Sequence, residues 1–254
     1  MVSGTVEGLP WRGRQRHPYT AGTMKGWRMA DKVIWNSFML FTTLGLILGG
    51  LTLPQTTRAA SPEKEIVIVA YGDSLTAGYQ LPPDAAFPVQ LEKALRGKGL
   101  NVRVVNAGVS GDTAADALAR FDWSMPEQAD AAIVELGAND ALRGIQVRET
   151  EKALGEILSR MKERQMDVLI AGMEAPRNWG EDYAKRFTAM YQSLAQTHNA
   201  QLYPFFLAGV ALDQSLNLGD GLHPTTQGVQ KIVQAILPEV EALIERVKTR
   251  KGRV

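Results

Sequence analysis

The stretch IVIVAYGDSLTAGYQ, residues 66–80, runs a block of branched apolar residues straight into Gly72, Asp73, Ser74 and Leu75. A short Val/Ile run bounded by turn residues reads as a strand buried on both faces. Its ending has two readings. Serine after a strand is common turn or helix-capping chemistry. Alternatively, the glycine bends the chain so that one hydroxyl is presented. The G-x-S-x-G elbow does not fit, because Thr76 stands where the second glycine would be.

Outward from this stretch the same pattern recurs. Apolar runs at Val102–Asn106, Ala131–Leu136, Val168–Met173 and, more weakly, Gln201–Tyr203 join Ile66–Tyr71 as strand candidates. Between them lie amphipathic segments at Phe87–Lys98, Thr113–Arg120, Val147–Arg164 and Tyr183–His198. The clearest helix comes last, with Ile232, Ile236, Val240, Leu243, Ile244 and Val247 at spacings of three and four. Strands alternating with helices predict a parallel sheet covered on both faces. No repeat, low-complexity tract or linker interrupts residues 61–247, which read as one domain. The closing KTRKGRV, residues 248–254, reads as a frayed basic tail.

A chain of 254 residues, 45% hydrophobic, can bury one sizeable core. Its formal charge of +1 makes no electrostatic case for a nucleic-acid partner. That charge is unevenly spread. Residues 1–60 carry seven Lys/Arg against Glu7 and Asp31, leaving 21 bases and 25 acids, a net of −4, in the remainder. The basic lead precedes an apolar run, Val33 to Leu53, and then small residues in TTRAAS, the ordered parts of a secretory signal with Thr57 and Ala59 before the cut. The expectation is export to the periplasm or medium; the alternative is an anchor retained through residues 33–53. The absence of cysteine excludes disulfides, thiolate metal sites, a lipid-modified N-terminal cysteine and a cysteine nucleophile.

In open parallel sheets, sites form at the carboxyl ends of the strands. Those ends carry Gly72-Asp73-Ser74, then NAGVSGDT with Gly111, then GAND with Asn139, then EAPRNWG, and GDGLHPT ahead of the last helix. A serine becomes a nucleophile only beside a base, and His223 is the plausible one. His17 lies in the lead segment, and His198 reads as a structural cation at a helix C-terminus. Asp220, three residues before His223, can reach the imidazole if Gly221 lets the chain turn; the competing reading has Asp220 or Thr225 merely capping the final helix. Acyl transfer also needs donors for a developing oxyanion. Asn139 offers an amide, and Gly111 a backbone N–H, though each can equally be a turn residue. Serine, glycine donor, asparagine donor and the Asp-His pair, in that order at the strand ends, together favour the hydrolytic reading.

GDSLTAG, Gly111 in VSGDT, GAND and DGLHP resemble the sequential blocks of the GDSL, or SGNH, hydrolase family. The resemblance spans about residues 65–245. VELGANDALRG and GDGLHPT are similar to its bacterial periplasmic branch, described as acyl-CoA thioesterase, lysophospholipase or arylesterase. It implies a flavodoxin-like three-layer α/β/α sandwich with a five-stranded parallel sheet. Ser74 is implied as nucleophile, His223 as base and Asp220 as its orienting acid. The backbone N–H groups of Ser74 and Gly111, with the Asn139 amide, form the implied oxyanion hole. No metal and no organic cofactor are implied. The implied partner is a small-molecule ester or lipid substrate handled by a monomer, with membrane contact only through an uncleaved N-terminal segment. The visible departure is Ala138, where close relatives often carry glycine.

Leu142, Ile145, Pro176 and Trp179 follow the third and fourth strands and can cover an acyl chain; equally, they can pin their loops to the core. Two other functions stay open: a carbohydrate O-acetylesterase on the same scaffold, and a flavodoxin-like module whose glycine loops cradle a phosphate. Against the latter, no G-x-G-x-x-G or G-x-x-x-x-G-K-[ST] follows the first strand.

Overall fold

A computed structural model describes residues 64–252. The signal or anchor segment expected within residues 1–60 lies outside them. Five strands, β1 (Ile66–Gly72), β2 (Val102–Gly108), β3 (Ala131–Glu135), β4 (Asp167–Ala171) and β5 (Gln201–Tyr203), form one parallel sheet in the order β2-β1-β3-β4-β5. This is the flavodoxin-like order, and its switch point falls between β1 and β3. β1 and β3 are buried along their whole length, as their unbroken Val/Ile/Ala runs require.

The helices are α1 (Ser74–Ala77), α2 (Phe87–Gly97), α3 (Ala114–Ala119), α4 (Phe121–Ser124), α5 (Ala138–Leu142), α6 (Val147–Glu163), α7 (Glu181–His198) and α8 (Thr226–Arg250). α2 packs with α8 as one layer, and α6 packs with α3 and α7 as another. The apolar face of α8 read from sequence, Ile232 through Val247, is buried against the sheet. Each such side chain contributes about 1.5–3 kcal/mol of transfer free energy.

Three expectations are revised. α8 does not fray at Lys248; it runs to Arg250, whose guanidinium donates to Asp167 Oδ2 at 2.7 Å and to the Asp130 carbonyl at 2.9 Å. β4 closes at Ala171 rather than Met173: the Gly172 amide makes the last ladder bond, to the Tyr203 carbonyl of β5 at 2.8 Å, and the Gly172 carbonyl accepts from Phe206 N, beyond the end of β5. His198 is structural but no cation: partial burial and nearby Lys162 hold its imidazole below the ordinary value, which favours the neutral form.

Candidate active site

At the switch point the chain leaves β1 through Gly72, and the reason is room. A Cβ on Gly72 would lie 2.1 Å from Thr76 Oγ1 and 2.6 Å from both the carbonyl and Oε2 of Glu135. Gly108, alongside in the sheet, is bare for a similar reason: its Cβ would meet Ala77 N at 2.4 Å. Glycine on both sides lets the single turn of α1 sit directly on the sheet edge. Asp73 caps that turn by accepting from Leu75 N at 3.0 Å. Ser74 is its first residue.

The second half of the site comes from the loop before α8. Asn217 and Pro224 form an antiparallel bridge, and Leu218 N donates to the His223 carbonyl at 2.7 Å. Inside this loop Asp220 Oδ1 accepts from Leu222 N (2.9 Å) and His223 N (3.0 Å), with Gly221 in the left-handed region at φ 69°. Asp220 Oδ2 then meets His223 Nδ1 at 2.7 Å, and His223 Nε2 meets Ser74 Oγ at 2.9 Å. The hydrogen bonds from both amides and the imidazole hold the Asp220 carboxyl down at about 2, so it is ionised at neutral pH. With Asp220 as acceptor, Nδ1 carries the proton and Nε2 turns its lone pair to the serine hydroxyl. Tyr79 packs on the imidazole, ring centroids 4.5 Å apart. Capping of α8 falls to Thr225, which accepts from Gly228 N at 3.2 Å.

Asn139, in α5 beyond β3, reaches back over the switch point. Its amide nitrogen donates to Asp73 Oδ2 at 3.1 Å and to the Asp112 carbonyl at 3.0 Å. Gly111 adopts φ 89°, open to glycine, and its carbonyl accepts from Arg143 Nη2 at 2.8 Å. Arg120, buried, ties the loop to β1: it pairs with Asp112 and donates to the Gly72 carbonyl at 3.0 Å.

A cleft of about 660 Å³ opens from Ser74 and His223. Leu142 and Pro176 line it, together with Met173, Phe205, Leu207 and Leu222. Ile145 and Trp179 do not. Trp179 Nε1 donates to the Ala141 carbonyl at 2.8 Å, and its ring fills the space where a Cβ on Gly144 would sit. Ile145 faces a separate depression beside Leu118 and Ala153, while its carbonyl accepts from Tyr183 Oη at 2.7 Å. These two residues pin their loops, because indole and tyrosine hydroxyl partners fix both segments. Sequence reasoning missed Arg120, Arg143 and Glu135. Glu135 alone carried a signal, an acid closing an otherwise apolar strand.

A flavodoxin-ordered sheet with a serine–histidine–aspartate relay and an asparagine amide at its carboxyl edge defines the SGNH class. The chain belongs to the GDSL-like Lipase/Acylhydrolase family, whose model matches residues 70–231. It is 36% identical over 183 residues to an arylesterase of Vibrio mimicus, covering 72% of this chain and 91% of that one. It is 35% identical over 190 residues to thioesterase 1/protease 1/lysophospholipase L1 of Escherichia coli K12, covering 74% and 88%. Among solved structures, the SGNH-hydrolase family esterase AlinE4 is 43% identical with a TM-score of 0.61, covering 72% of this chain and 98% of that one.

Proposed function

We propose that the protein is a serine esterase and thioesterase acting on carboxylic esters and thioesters of apolar acyl chains, aryl esters and lysophospholipids among them. The observation that carries this reading is the continuous Ser74–His223–Asp220 relay opening on an apolar cleft. The esterase, arylesterase and thioesterase names of its relatives support it.

In this mechanism Ser74 Oγ attacks the acyl carbonyl carbon while its proton passes to His223 Nε2. Asp220, ionised and bonded to Nδ1, stabilises the imidazolium. The oxyanion takes N–H bonds from the Asn139 amide, released in part from Asp73 and Asp112, and from the backbone of Ser74 and Gly111. The alcohol or thiol leaves with the proton from Nε2. Water, deprotonated by His223, then attacks the acyl-enzyme, and Ser74 regains its hydrogen as the acid departs. The apolar walls favour this over a carbohydrate O-acetylesterase, since acetate would leave Phe205, Leu207 and Leu222 without a partner.

The test is a p-nitrophenyl ester series from acetate to palmitate with wild type and Ser74→Ala, alongside fluorophosphonate labelling. Turnover and labelling that vanish in Ser74→Ala support the mechanism. Full activity in that variant overturns it, and a strong preference for acetate overturns the choice of acyl group. We also propose export directed by the basic lead and residues 33–53; among the described residues no helix is long and apolar enough to cross a membrane. Detection of the protein only in the cytoplasmic fraction of the producing cells would sink that proposal.

A further inference from the structure

Glu135 ends β3 in register with Gly72 and is wholly buried. Its carboxyl lies under the turn that carries Ser74: Oε2 accepts from Thr76 Oγ1 at 2.6 Å, and that oxygen fills part of the space the missing Cβ of Gly72 leaves. Oε1 is buried with no hydrogen-bond partner among the described residues. On the other side of the same turn, Asp73 is also buried; it accepts from Leu75 N and from the Asn139 amide. Two carboxyls therefore bracket Ser74 from below, one holding residue 76, the other holding residue 75 and Asn139.

No cationic side chain bonds to Glu135 among the described residues. Arg120, the buried cation of this region, is committed to Asp112 and the Gly72 carbonyl. The other titratable groups facing the pair are Asp112 itself, Tyr191 of α7 and His223. An unpaired buried carboxylate is costly, and two beside each other cannot both ionise cheaply. Burial, and then the Asp73 charge, push the Glu135 carboxyl well above its usual range, against the hydrogen bonds from Thr76 and Asp73. Burial likewise raises Asp73, to about 6.

We propose that Glu135 is a positioning residue that works as a neutral carboxylic acid: with Asp73 it forms a one-proton pair that holds the Ser74 turn and the Asn139 amide while keeping a second negative charge away from the oxyanion. This rests on the serine-esterase reading. It gives the buried acid of β3 a task that packing alone would assign to an apolar residue.

The test combines infrared spectroscopy at pH 7 with kinetics on p-nitrophenyl butyrate, using the purified wild type, Glu135→Gln and Glu135→Ala. The expected result is a protonated-carboxyl carbonyl band in the wild type that is lost in Glu135→Gln. Glu135→Gln, neutral and of the same shape, retains kcat to within about threefold. Glu135→Ala loses kcat by about 10-fold or more with KM little changed, as displacement of a reacting group does. Where Glu135→Ala fails to fold, the glutamine variant and the infrared band decide. An unchanged band, or a Glu135→Gln kcat as low as that of Glu135→Ala, overturns the inference while leaving the esterase reading intact. A wild type that turns over no ester overturns that reading and the positioning role with it.

Discussion

Replacing Gly72 by alanine adds one methyl group at the most crowded point of the site. The backbone there is not in the left-handed region, so alanine carries no conformational penalty, and the effect is steric alone. The new Cβ would stand 2.1 Å from Thr76 Oγ1, 2.6 Å from Glu135 Oε2 and 2.6 Å from the Glu135 carbonyl oxygen. A hydroxyl can rotate away, but the carbonyl belongs to β3 beside Gly72 and cannot. Overpacking of this kind costs about 1–3 kcal/mol. For a domain of this size that lowers Tm by roughly 2–12 °C. The turn carrying Ser74 must rise from the sheet edge, lengthening the 2.9 Å contact to His223. Misplacement of a reacting group by an ångström costs about 10²-fold in rate, so kcat falls far more than stability. Thermal melts and p-nitrophenyl butyrate kinetics read both effects, and Gly72→Ala/Thr76→Ala recovers only part, because the carbonyl contact persists. A single variant with wild-type Tm and kcat would refute the account of Gly72 as a spacer.

Other substitutions test other parts. Asn139→Ala loses kcat by about 10²–10³-fold, as for one oxyanion donor; unchanged turnover removes Asn139 from that role. Asp73, raised to about 6, binds a proton more tightly folded than unfolded, so its contribution to stability falls as pH rises from about 4 to 6 and is level above. Urea midpoints of Asp73→Asn relative to wild type therefore improve between pH 4.5 and pH 8; a constant difference contradicts the raised carboxyl. Gly97→Ala, at the end of α2 with open space around it, stabilises by about 0.4–1 kcal/mol in the same assay, and a lower midpoint contradicts it.

The sheet was legible because its inner strands are unbroken apolar runs, the long helices because their apolar residues recur at spacings of three and four, and Ser74, Asn139 and His223 because each follows a strand or precedes a helix. The supporting contacts were not. Thr76 and Glu135 meet across 59 residues of chain, and Arg143 reaches the Gly111 carbonyl across 32. Nothing local announces such pairings. α1 and α5, of four and five residues, are too short for periodicity to register. Leu142 and Trp179 look alike in sequence, each an apolar residue in a loop; only the Ala141 carbonyl waiting for the indole separates a wall of the cleft from a pin.

The loop bridged by Asn217 and Pro224 holds both His223 and its acid within four residues, Asp220 to His223, joined by two hydrogen bonds, with a third from Leu222 N to the same carboxylate. Proton acceptor and counter-charge are thus a single cassette, which meets the rest of the site through the hydrogen bond to Ser74 and the packing of Tyr79 on the imidazole. Any shift of that loop carries the two together. The machinery can disengage at the serine without losing its internal alignment, and re-engages already tuned.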